Sequence, residues 1–264
     1  MNSPQDAPSS TGPAYHNQAF LESDDGRPIR ILADYLEPLY RLRNQEVHDT
    51  IVFFGSARMK EDGPLSRYYE EARALARLLT EWARDQPGSK RFVISSGGGG
   101  GIMEAANRGA ADAGGSTIGF NIGLPHEQRP NPYVTPELLF EFHYFFMRKL
   151  WFSHLARALI AFPGGFGTLD ELFEMLTLAQ TRKLDRDVLI VLYGPDYWNE
   201  VLDLGALVRH GMIDAKDLKL FHVVDDVRSA FELLRAKLPT DVEATYPAIA
   251  KSTIVKNGRT AKIA

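Results

Sequence analysis

The sequence predicts a single α/β domain in which helices cover both faces of a parallel β-sheet. From about residue 50 to residue 238, apolar runs of strand length alternate with amphipathic stretches of helical period. The apolar runs are nearly continuous, as expected for strands that are buried on both faces. Two of them are followed directly by glycine-rich segments. Ligands of open parallel sheets bind at such strand ends.

Length and composition are those of an ordinary globular protein. The chain has 264 residues, 44% of them hydrophobic and 24% charged, with a formal net charge of −4. This balance gives no electrostatic reason to expect long nucleic acid or an anionic membrane surface as a partner. Disulfides and thiolate metal sites are excluded because cysteine is absent. With neither a secretory signal nor an apolar membrane span evident, we expect a cytoplasmic protein.

The two ends of the chain differ from the middle. Residues 1–15 are rich in Ser, Pro and Gly and are predicted to be disordered. Residues 28–47 have apolar residues at helical spacing, interrupted at Pro38, and predict a helix outside the sheet. We therefore expect an N-terminal extension (1–45), one domain (46–238) and a C-terminal tail (239–264) that is an arm or disordered.

The elements of the domain follow from periodicity and flanking residues. The predicted strands are 50–58, 91–96, 116–122, 138–145, 158–164, 188–194 and a short one around Phe221–Val224. The predicted helices are 66–85, a helix from the glycine run to about Ala113, 147–156, Thr168 to about Thr181, one near 195–209 and 226–238. This order predicts a Rossmann-like, doubly wound sheet of about six or seven strands.

The first glycine-rich segment, SSGGGGGIME (95–104), joins the second strand to a helix. Five glycines let the backbone approach a ligand closely, and the amide groups at a helix start favour an anion such as phosphate. A tight turn without a ligand is the alternative. Five consecutive glycines exceed what such a turn needs, so we favour an anion site. We accordingly expect a phosphate group to be the part of the ligand that contributes most to binding.

The second segment, FPGGFGTLDE (162–171), also joins a strand to a helix. Thr168 offers a hydroxyl that caps the helix or binds a phosphate oxygen. Carboxylates in a first helical turn are stabilised by the helix dipole, which alone would explain Asp170 and Glu171. Glu174 shares a helix face with Glu171, Thr177 continues that face, and we expect Glu171 at the mouth of the site.

A third motif, FFMRK (145–149), places two cations at a helix start. Cations are unfavourable there without an anionic neighbour, which a ligand or Glu171 would supply. The aromatic run from Phe142 to Phe152 is more typical of a core or subunit interface than of a base-stacking surface.

The loop LPHEQRPNPYV (124–134) follows the third predicted strand. Its Glu127 either holds ribose hydroxyls or is a surface acid, and the sequence leaves both readings open. The seven histidines have no metal-ligand spacing and no serine lies in a nucleophile elbow, so we expect neither metal nor serine chemistry.

Together these motifs resemble the LONELY GUY family of phosphoribohydrolases, whose members are often mislabelled lysine decarboxylases. The resemblance rests on GGGGGIMEAANRGA (97–110), LPHEQRPNPYV (124–134), FFMRK (145–149) and PGGFGTLDE (163–171), and covers about residues 50–230. It is strongest to the longer bacterial subgroup, which has FFxRK where plant members have MHxRK. One departure is Gly100, where relatives often have proline.

The resemblance implies hydrolysis of the N-glycosidic bond of nucleoside 5′-monophosphates, AMP or cytokinin riboside 5′-monophosphate, to free base and D-ribose 5-phosphate. It also implies a homodimer or higher homo-oligomer without a required cofactor. Arg148 and Glu171 would be the catalytic pair. The implied substrate-binding positions are Ser56, Gly98, Gly99, Gly100, Gly101, Glu127, Lys149, Gly164, Gly165, Phe166, Gly167, Thr168, Leu169, Asp170, Glu174 and Thr177.

Three other functions are weighed against this one. A non-catalytic nucleotide-binding or carrier protein has no need of a carboxylate beside the ribose, so the Arg148–Glu171 pair argues against it. A phosphotransferase or phosphatase normally needs a magnesium site or a covalent nucleophile, and no carboxylate cluster stands out. A pyridoxal-dependent decarboxylase needs a Schiff-base lysine, for which Lys149 is a poor candidate.

Overall fold

A computed structural model describes residues 12–88, 90–123, 129–184 and 186–238, together with the backbone of 253–256 and 259–262. Two predictions fall largely on the remaining residues. Glu127 lies outside the described residues, and so do most of the positions for which we predict terminal disorder.

Seven parallel strands form one sheet, as the sequence predicts. They are β1 (Thr50–Phe54), β2 (Val93–Ser96), β3 (Thr117–Ile122), β4 (Leu139–Phe142), β5 (Ala156–Ala161), β6 (Leu189–Tyr193) and β7 (Phe221–Val224). Their spatial order is β4-β3-β2-β1-β5-β6-β7. The chain therefore moves outward from β1 to β4 and then returns to place β5 on the other side of β1. The loops after β1 and β5 diverge at this point, which opens a crevice at the carboxyl edge of the sheet.

Helices cover both faces of this sheet. They are α1 (Gln18–Glu22), α2 (Arg27–Asn44), α3 (Ser66–Arg84), α4 (Ile102–Asp112), α5 (Phe145–Leu155), α6 (Phe166–Gln180), α7 (Pro195–Val201), α8 (Leu204–Arg209) and α9 (Val227–Lys237). Alternate residues of β1 enter two different cores, because successive strand side chains point to opposite faces. Ile51 and Phe53 pack with α3, α4 and α9, whereas Val52 and Phe54 pack with α2, α5 and α6.

Most predicted elements are present, and most differences lie at their ends. The helix predicted near 195–209 is instead two helices, α7 and α8, because the side chain of Asp203 caps a new helix start by accepting the amide N–H of Ala206. The fourth predicted strand was expected to continue to residue 145, but β4 ends at Phe142. The carboxylate of Asp34 on α2 accepts the amide N–H groups of His143 and Tyr144, each at 3.2 Å. These amides are therefore unavailable to the sheet, and α5 begins directly afterwards.

The N-terminal helix predicted over 28–47 is confirmed as α2, with Pro38 inside it. At the other end of the chain, residues 253–256 and 259–262 form an antiparallel pair of strands, β8 and β9. None of the helices in the described segments is both long and apolar enough to cross a membrane.

Candidate active site

A cavity of about 660 Å³ lies at the carboxyl ends of β1 and β5, where the topology of the sheet reverses. Three segments form most of its wall: the loop after β1, the start of α5, and the loop that joins β5 to α6. Its lining residues are Gly55, Ser56, Ala57, Arg58, Met59, Leu65, Met103, Ile122, Phe145, Arg148, Pro163, Gly164, Gly165, Phe166, Gly167, Thr168, Leu169, Glu171 and Tyr197. This lining combines apolar side chains with the backbone of glycine-containing loops.

Arg148 of α5 and Glu171 of α6 form an ion pair in this cavity. The distance from Nη1 of Arg148 to Oε1 of Glu171 is 3.4 Å, and the side chains are 12% and 13% exposed. The side chain of Arg148 is also anchored to β3, because its Nε donates a hydrogen bond of 2.8 Å to the carbonyl oxygen of Phe120. The ring of Phe152 lies 5.1 Å from its guanidinium carbon. Glu171 is therefore an anionic neighbour of this helix start, one of the two alternatives that the sequence left open.

Burial dominates the electrostatics of the pair. It raises the pKa of Glu171 from 4.5 to about 7, assisted by the charge of Asp170 and opposed by the charges of Arg148 and Lys149. Burial also lowers the pKa of Arg148, against the charge of Glu171. Glu171 therefore exchanges its proton close to neutral pH, the range in which a carboxylate serves both as proton acceptor and as donor.

Lys149, the second cation of the motif, forms a separate pair of contacts. Its Nζ lies 3.0 Å from Oδ1 of Asp170 and 2.8 Å from Oε2 of Glu174. These ion pairs connect α5 to the first turns of α6. Asp170 and Glu174 thus form ion pairs with Lys149. Neither residue is part of the cavity lining.

The loop between β5 and α6 is shaped by two close contacts. A Cβ atom at Gly164 would lie 2.2 Å from Oγ1 of Thr168, so no larger residue fits without displacing the buried Thr168. The hydroxyl of Tyr197 donates a 2.5 Å hydrogen bond to the carbonyl oxygen of Gly164. Helix α6 begins at Phe166 after Gly165, which is two residues before the predicted start. The N-cap has no side-chain hydrogen bond, so Thr168 does not cap the helix, one of its two predicted roles.

The five-glycine run lies at the same edge of the sheet, behind the loop that follows β1. The amide of Ile102 donates to the carbonyl oxygen of Ser56 at 3.1 Å. Gly101 has a φ of 65°, and a Cβ there would lie 2.2 Å from the same oxygen. At the start of the run, a Cβ on Gly97 would lie 2.3 Å from Nη2 of Arg148. The backbone therefore requires glycine at Gly101, whereas a larger residue at Gly97 would displace the side chain of Arg148.

A buried polar network holds this run in place, and sequence reasoning missed it. Asn131 donates to the carbonyl oxygens of Gly98 and Gly99, at 2.8 and 2.9 Å. Its side chain also donates to Oδ1 of Asn107, which accepts a second hydrogen bond from Ser96. The only signal in the sequence is that Asn107 and Asn131 lie inside the motifs 97–110 and 124–134.

The structure divides the predicted site residues into three groups. Those that line the cavity are Ser56, Arg148, Gly164, Gly165, Phe166, Gly167, Thr168, Leu169 and Glu171. Those that lie outside its lining are Gly98, Gly99, Gly100, Gly101, Lys149, Asp170, Glu174 and Thr177. Glu127 is outside the described residues. The hydroxyl of Thr177 donates to the carbonyl oxygen of Phe173 within α6. The apolar lining residues Met59, Leu65 and Met103 carried no signal in the sequence.

Within the described ranges, no three His, Asp or Glu side chains are grouped so that they could hold a metal ion. The arrangement instead offers a buried carboxylate beside an arginine, next to the glycine-rich start of α6. Such a site can bind an anion at the helix start and present Glu171 to a neighbouring carbon atom.

Comparison with known proteins gives a consistent family assignment. The sequence profile of a family described as "Possible lysine decarboxylase" matches residues 103–234. The "Probable cytokinin riboside 5'-monophosphate phosphoribohydrolase LOG4" of Oryza sativa subsp. japonica is 29% identical over 183 residues, which cover 68% of this chain and 73% of that protein. The rice protein named "Cytokinin riboside 5'-monophosphate phosphoribohydrolase LOG" is 31% identical over 131 residues, 49% of this chain and 48% of its own length.

A bacterial relative carries the same name. The "Cytokinin riboside 5'-monophosphate phosphoribohydrolase" of Rhodococcoides fascians is 28% identical over 129 residues, 48% of this chain and 62% of that protein. Among solved structures, the Moco carrier protein from Chlamydomonas reinhardtii aligns with a TM-score of 0.46 and 24% identity, over 72% of this chain and 99% of that one.

Proposed function

The chain belongs to the LONELY GUY family, whose profile is described as "Possible lysine decarboxylase", and from this premise we propose that it hydrolyses nucleoside 5′-monophosphates. The bond broken is the N-glycosidic bond between C1′ of the ribose and the base. The products are the free base and D-ribose 5-phosphate. AMP and cytokinin riboside 5′-monophosphate are the proposed substrates.

One observation carries this proposal: the buried Arg148–Glu171 pair lies in the cavity that the topology opens between β1 and β5. A protein that only bound a nucleotide would gain nothing from a buried carboxylate with a pKa of about 7. Burying such a group opposes folding, and perturbed acids of this kind are concentrated at reactive sites. The pair therefore favours an enzyme over a carrier.

The proposed chemistry follows from the charge that develops during the reaction. As the base departs, positive charge builds on C1′ and the ribose oxygen, as in sugar hydrolysis. The ionised carboxylate of Glu171 stabilises that charge and accepts a proton from the attacking water. The water oxygen becomes the new substituent of C1′, and the departing base takes up a proton. Arg148 anchors the substrate and keeps Glu171 oriented.

The phosphate would bind at the start of α6, where the glycine-rich loop lines the cavity. Gly165 and Gly167 have no atom within 4 Å of a Cβ position, so a ligand can approach the backbone closely there. The helix dipole favours an anion at this end, and the Thr168 hydroxyl is adjacent. The binding energy of the remote phosphate would position C1′ against Glu171.

The apolar lining residues of the cavity would contact the base. Among them are Met59, Leu65, Met103 and Phe145, which offer the polarizable and aromatic contacts that a purine, with or without a prenyl group, can use. No single one of these residues distinguishes the two substrates.

Lysine decarboxylation, the activity in the family description, is not supported. That chemistry needs a lysine that forms a Schiff base with pyridoxal phosphate. The amino group of Lys149 is held in ion pairs with two carboxylates, and Lys149 lies outside the cavity lining.

Product analysis tests the proposal. The protein is incubated with a panel of nucleoside 5′-monophosphates that includes prenylated adenine, and the products are separated by chromatography. Free base and ribose 5-phosphate in equal amounts are expected. Inorganic phosphate would indicate a phosphatase, and bound but unchanged nucleotide would indicate a carrier. The unphosphorylated nucleosides serve as controls and are expected to react poorly.

We also propose that the protein is a homodimer or higher homo-oligomer. Phe145, Phe146 and Leu150 of α5 and Phe166 and Phe173 of α6 are large exposed apolar residues, and Phe166 is 93% exposed. Apolar residues concentrated on two neighbouring helices are typical of subunit interfaces. Sedimentation velocity should show a dimer or larger species, and Phe146→Glu should shift it towards the monomer. A monomeric wild-type protein would contradict this.

A further inference from the structure

A second, larger cavity lies at the opposite edge of the sheet. Its volume is about 1000 Å³, and it is formed at the amino ends of β5, β6 and β7 and at the carboxyl ends of α6 and α9. The candidate active site is at the carboxyl ends of the strands, so the two cavities share no lining residue. A ligand in this second cavity would not compete with a nucleotide at Glu171.

The lining of this cavity is cationic. Its charged and titratable members are Arg157, Arg182, Arg186, Lys219, Lys237, His222 and Asp187. The described lining residues thus include five arginine and lysine side chains and one carboxylate, in a chain whose net charge is −4. The pKa of His222 is lowered by burial and by the charge of Lys237. A concentration of like charge around a concave surface attracts multivalent anions.

Arg157 lies at the wall formed by the first residues of β5 and is only 5% exposed. Its Nε is 3.7 Å from Oδ2 of Asp49, but the same oxygen accepts a 2.7 Å hydrogen bond from Arg91. One carboxylate is therefore shared between two arginines. Arg157 thus brings a buried positive charge to this side of the cavity.

Arg182 has an unfavourable backbone conformation. It follows the last residue of α6 and has a φ of 55°, in the left-handed region where glycine is the usual residue. Glycine would remove this strain, because an L-residue with a bulky side chain is rarely found there. Residues kept in such conformations are concentrated at ligand sites. The backbone conformation at this position therefore costs stability that a glycine would avoid.

Helix dipoles explain only part of this charge. Cations near a helix carboxyl end are stabilised by the dipole, which accounts for Arg182 after α6 and Lys237 at the end of α9. Arg157 lies on a strand, and Arg186 lies in the segment before β6. Neither is at the end of an α-helix, so the helix dipoles do not account for the whole cluster.

We propose that this cavity is a binding site for a small molecule that carries a di- or triphosphate group. Several phosphates match several fixed cations, and arginines bind phosphate oxygens in a bidentate way. The volume exceeds that of a polyphosphate alone, and Leu184, Val188 and Leu220 supply an apolar wall. A nucleoside di- or triphosphate can contact both the cationic residues and the apolar wall, whereas inorganic polyphosphate can contact only the cationic residues.

Calorimetric titration of the full chain with inorganic tripolyphosphate and with a nucleoside triphosphate tests the proposal. Each should bind, and Lys219→Gln should weaken both by about tenfold, the usual scale for one charge-assisted contact. Lys216→Gln is the matched control, because Lys216 lies on the same short 3-10 helix, pairs with Asp214 and does not line the cavity. Tighter binding of the nucleotide than of tripolyphosphate would identify the apolar wall as part of the site.

The substitution Arg182→Gly distinguishes a binding role of the Arg182 side chain from a structural role. The substitution relieves the backbone strain, so its melting temperature should equal or exceed that of the wild type, while tripolyphosphate binding should weaken by about tenfold. Arg148→Ala should leave tripolyphosphate binding at this cavity intact. The proposal is overturned if neither ligand binds, or if binding survives Arg182→Gly and Lys219→Gln but is lost in Arg148→Ala.

Discussion

At the scale of single residues, Glu171 combines burial with a neighbouring cation. Arg148 lies 3.4 Å away and favours the ionised carboxylate, but burial outweighs it and raises the pKa of Glu171 to about 7. A well-solvated glutamate would be fully ionised at neutral pH and would be a weaker base. The same burial that makes the carboxylate reactive makes its ionisation unfavourable for folding.

The pH dependence of kcat/KM should reveal which protonation state of Glu171 is active. If the carboxylate stabilises positive charge and accepts a proton, kcat/KM should rise as the pH increases through about 7 and then level off. Steady-state rates of base release between pH 5 and 9, the range about two units on either side of that pKa, measure this. A rate that falls as the pH rises through the same value would show instead that Glu171 acts as the proton donor.

Gly97 offers a test of how strictly Arg148 must be placed. In Gly97→Ala the new Cβ would lie 2.3 Å from Nη2 of Arg148 and 2.6 Å from the sulfur of Met103. Both atoms end flexible side chains, so the backbone can stay while Arg148 moves. We expect turnover to fall about 10²-fold with little change in melting temperature. Gly63→Ala, whose nearest contact would be 3.6 Å, is the control and should change neither property.

At the scale of the elements, the sequence predicts the order and type of strands and helices, because buried parallel strands and amphipathic helices have distinct periods. It does not predict their ends, which long-range contacts decide. The end of β4 depends on the carboxylate of Asp34, more than a hundred residues away in sequence. The start of α6 at Phe166 depends on the conformation of Gly165.

The candidate site could likewise be predicted only in part from the sequence. The motifs identify Arg148 and Glu171, and the pairing of two charged residues at facing helix starts could be predicted from the unfavourable cations. The network of Asn107 and Asn131 could not, since its partners come from separate segments and any Asn can occupy a loop or a turn. The sequence also does not show which glycines line the cavity. This depends on the packing of the loops, since Ser56 lines the cavity and residues 97–101 do not.

Helix α7 contributes to the site through Tyr197, whose hydroxyl holds the carbonyl of Gly164. Tyr197→Phe removes that hydrogen bond and leaves the ring in place. The loop before α6 should become less ordered, so KM for a nucleoside monophosphate should rise several-fold while kcat changes less. Steady-state kinetics measure both constants, with Tyr40→Phe, an exposed residue of α2, as the control. An unchanged KM would show that the loop is ordered by other contacts.

At the scale of the whole molecule, one sheet separates two chemically different edges. The carboxyl ends of β1 and β5 carry the Arg148–Glu171 cavity, and the amino ends of β5 to β7 carry the cationic one. The doubly wound order produces the first, because its loops diverge where the chain reverses direction across the sheet. The helix ends and loops at the opposite edge produce the second.

Global stability should depend on pH through Glu171. Its pKa is raised in the folded state, so its contribution to the free energy of unfolding is full below pH 4.5 and is lost as the pH rises through about 7. Glutamine resembles the protonated acid at every pH. Relative to the wild type, Glu171→Gln should therefore gain stability as the pH rises from 4.5 to 7, by up to about 1.4 kcal/mol per pH unit. Denaturant unfolding at several pH values measures the difference, and a constant difference would contradict the raised pKa.

The catalytic role of the Glu171 carboxylate can be tested by measuring activity and stability together. Release of base from a nucleoside 5′-monophosphate and the melting temperature are measured on the same samples of wild type, Glu171→Gln and Asp170→Asn at a pH about one unit above the pKa of Glu171. In Glu171→Gln we expect turnover to fall roughly 10²–10⁴-fold, the usual scale for a positioned acid or base, with an unchanged or higher melting temperature. Asp170→Asn, which alters an exposed partner of Lys149, should lose much less activity. If Glu171→Gln melts earlier and hydrolyses the nucleotide almost normally, Glu171 only stabilises the start of α6 and the account is wrong.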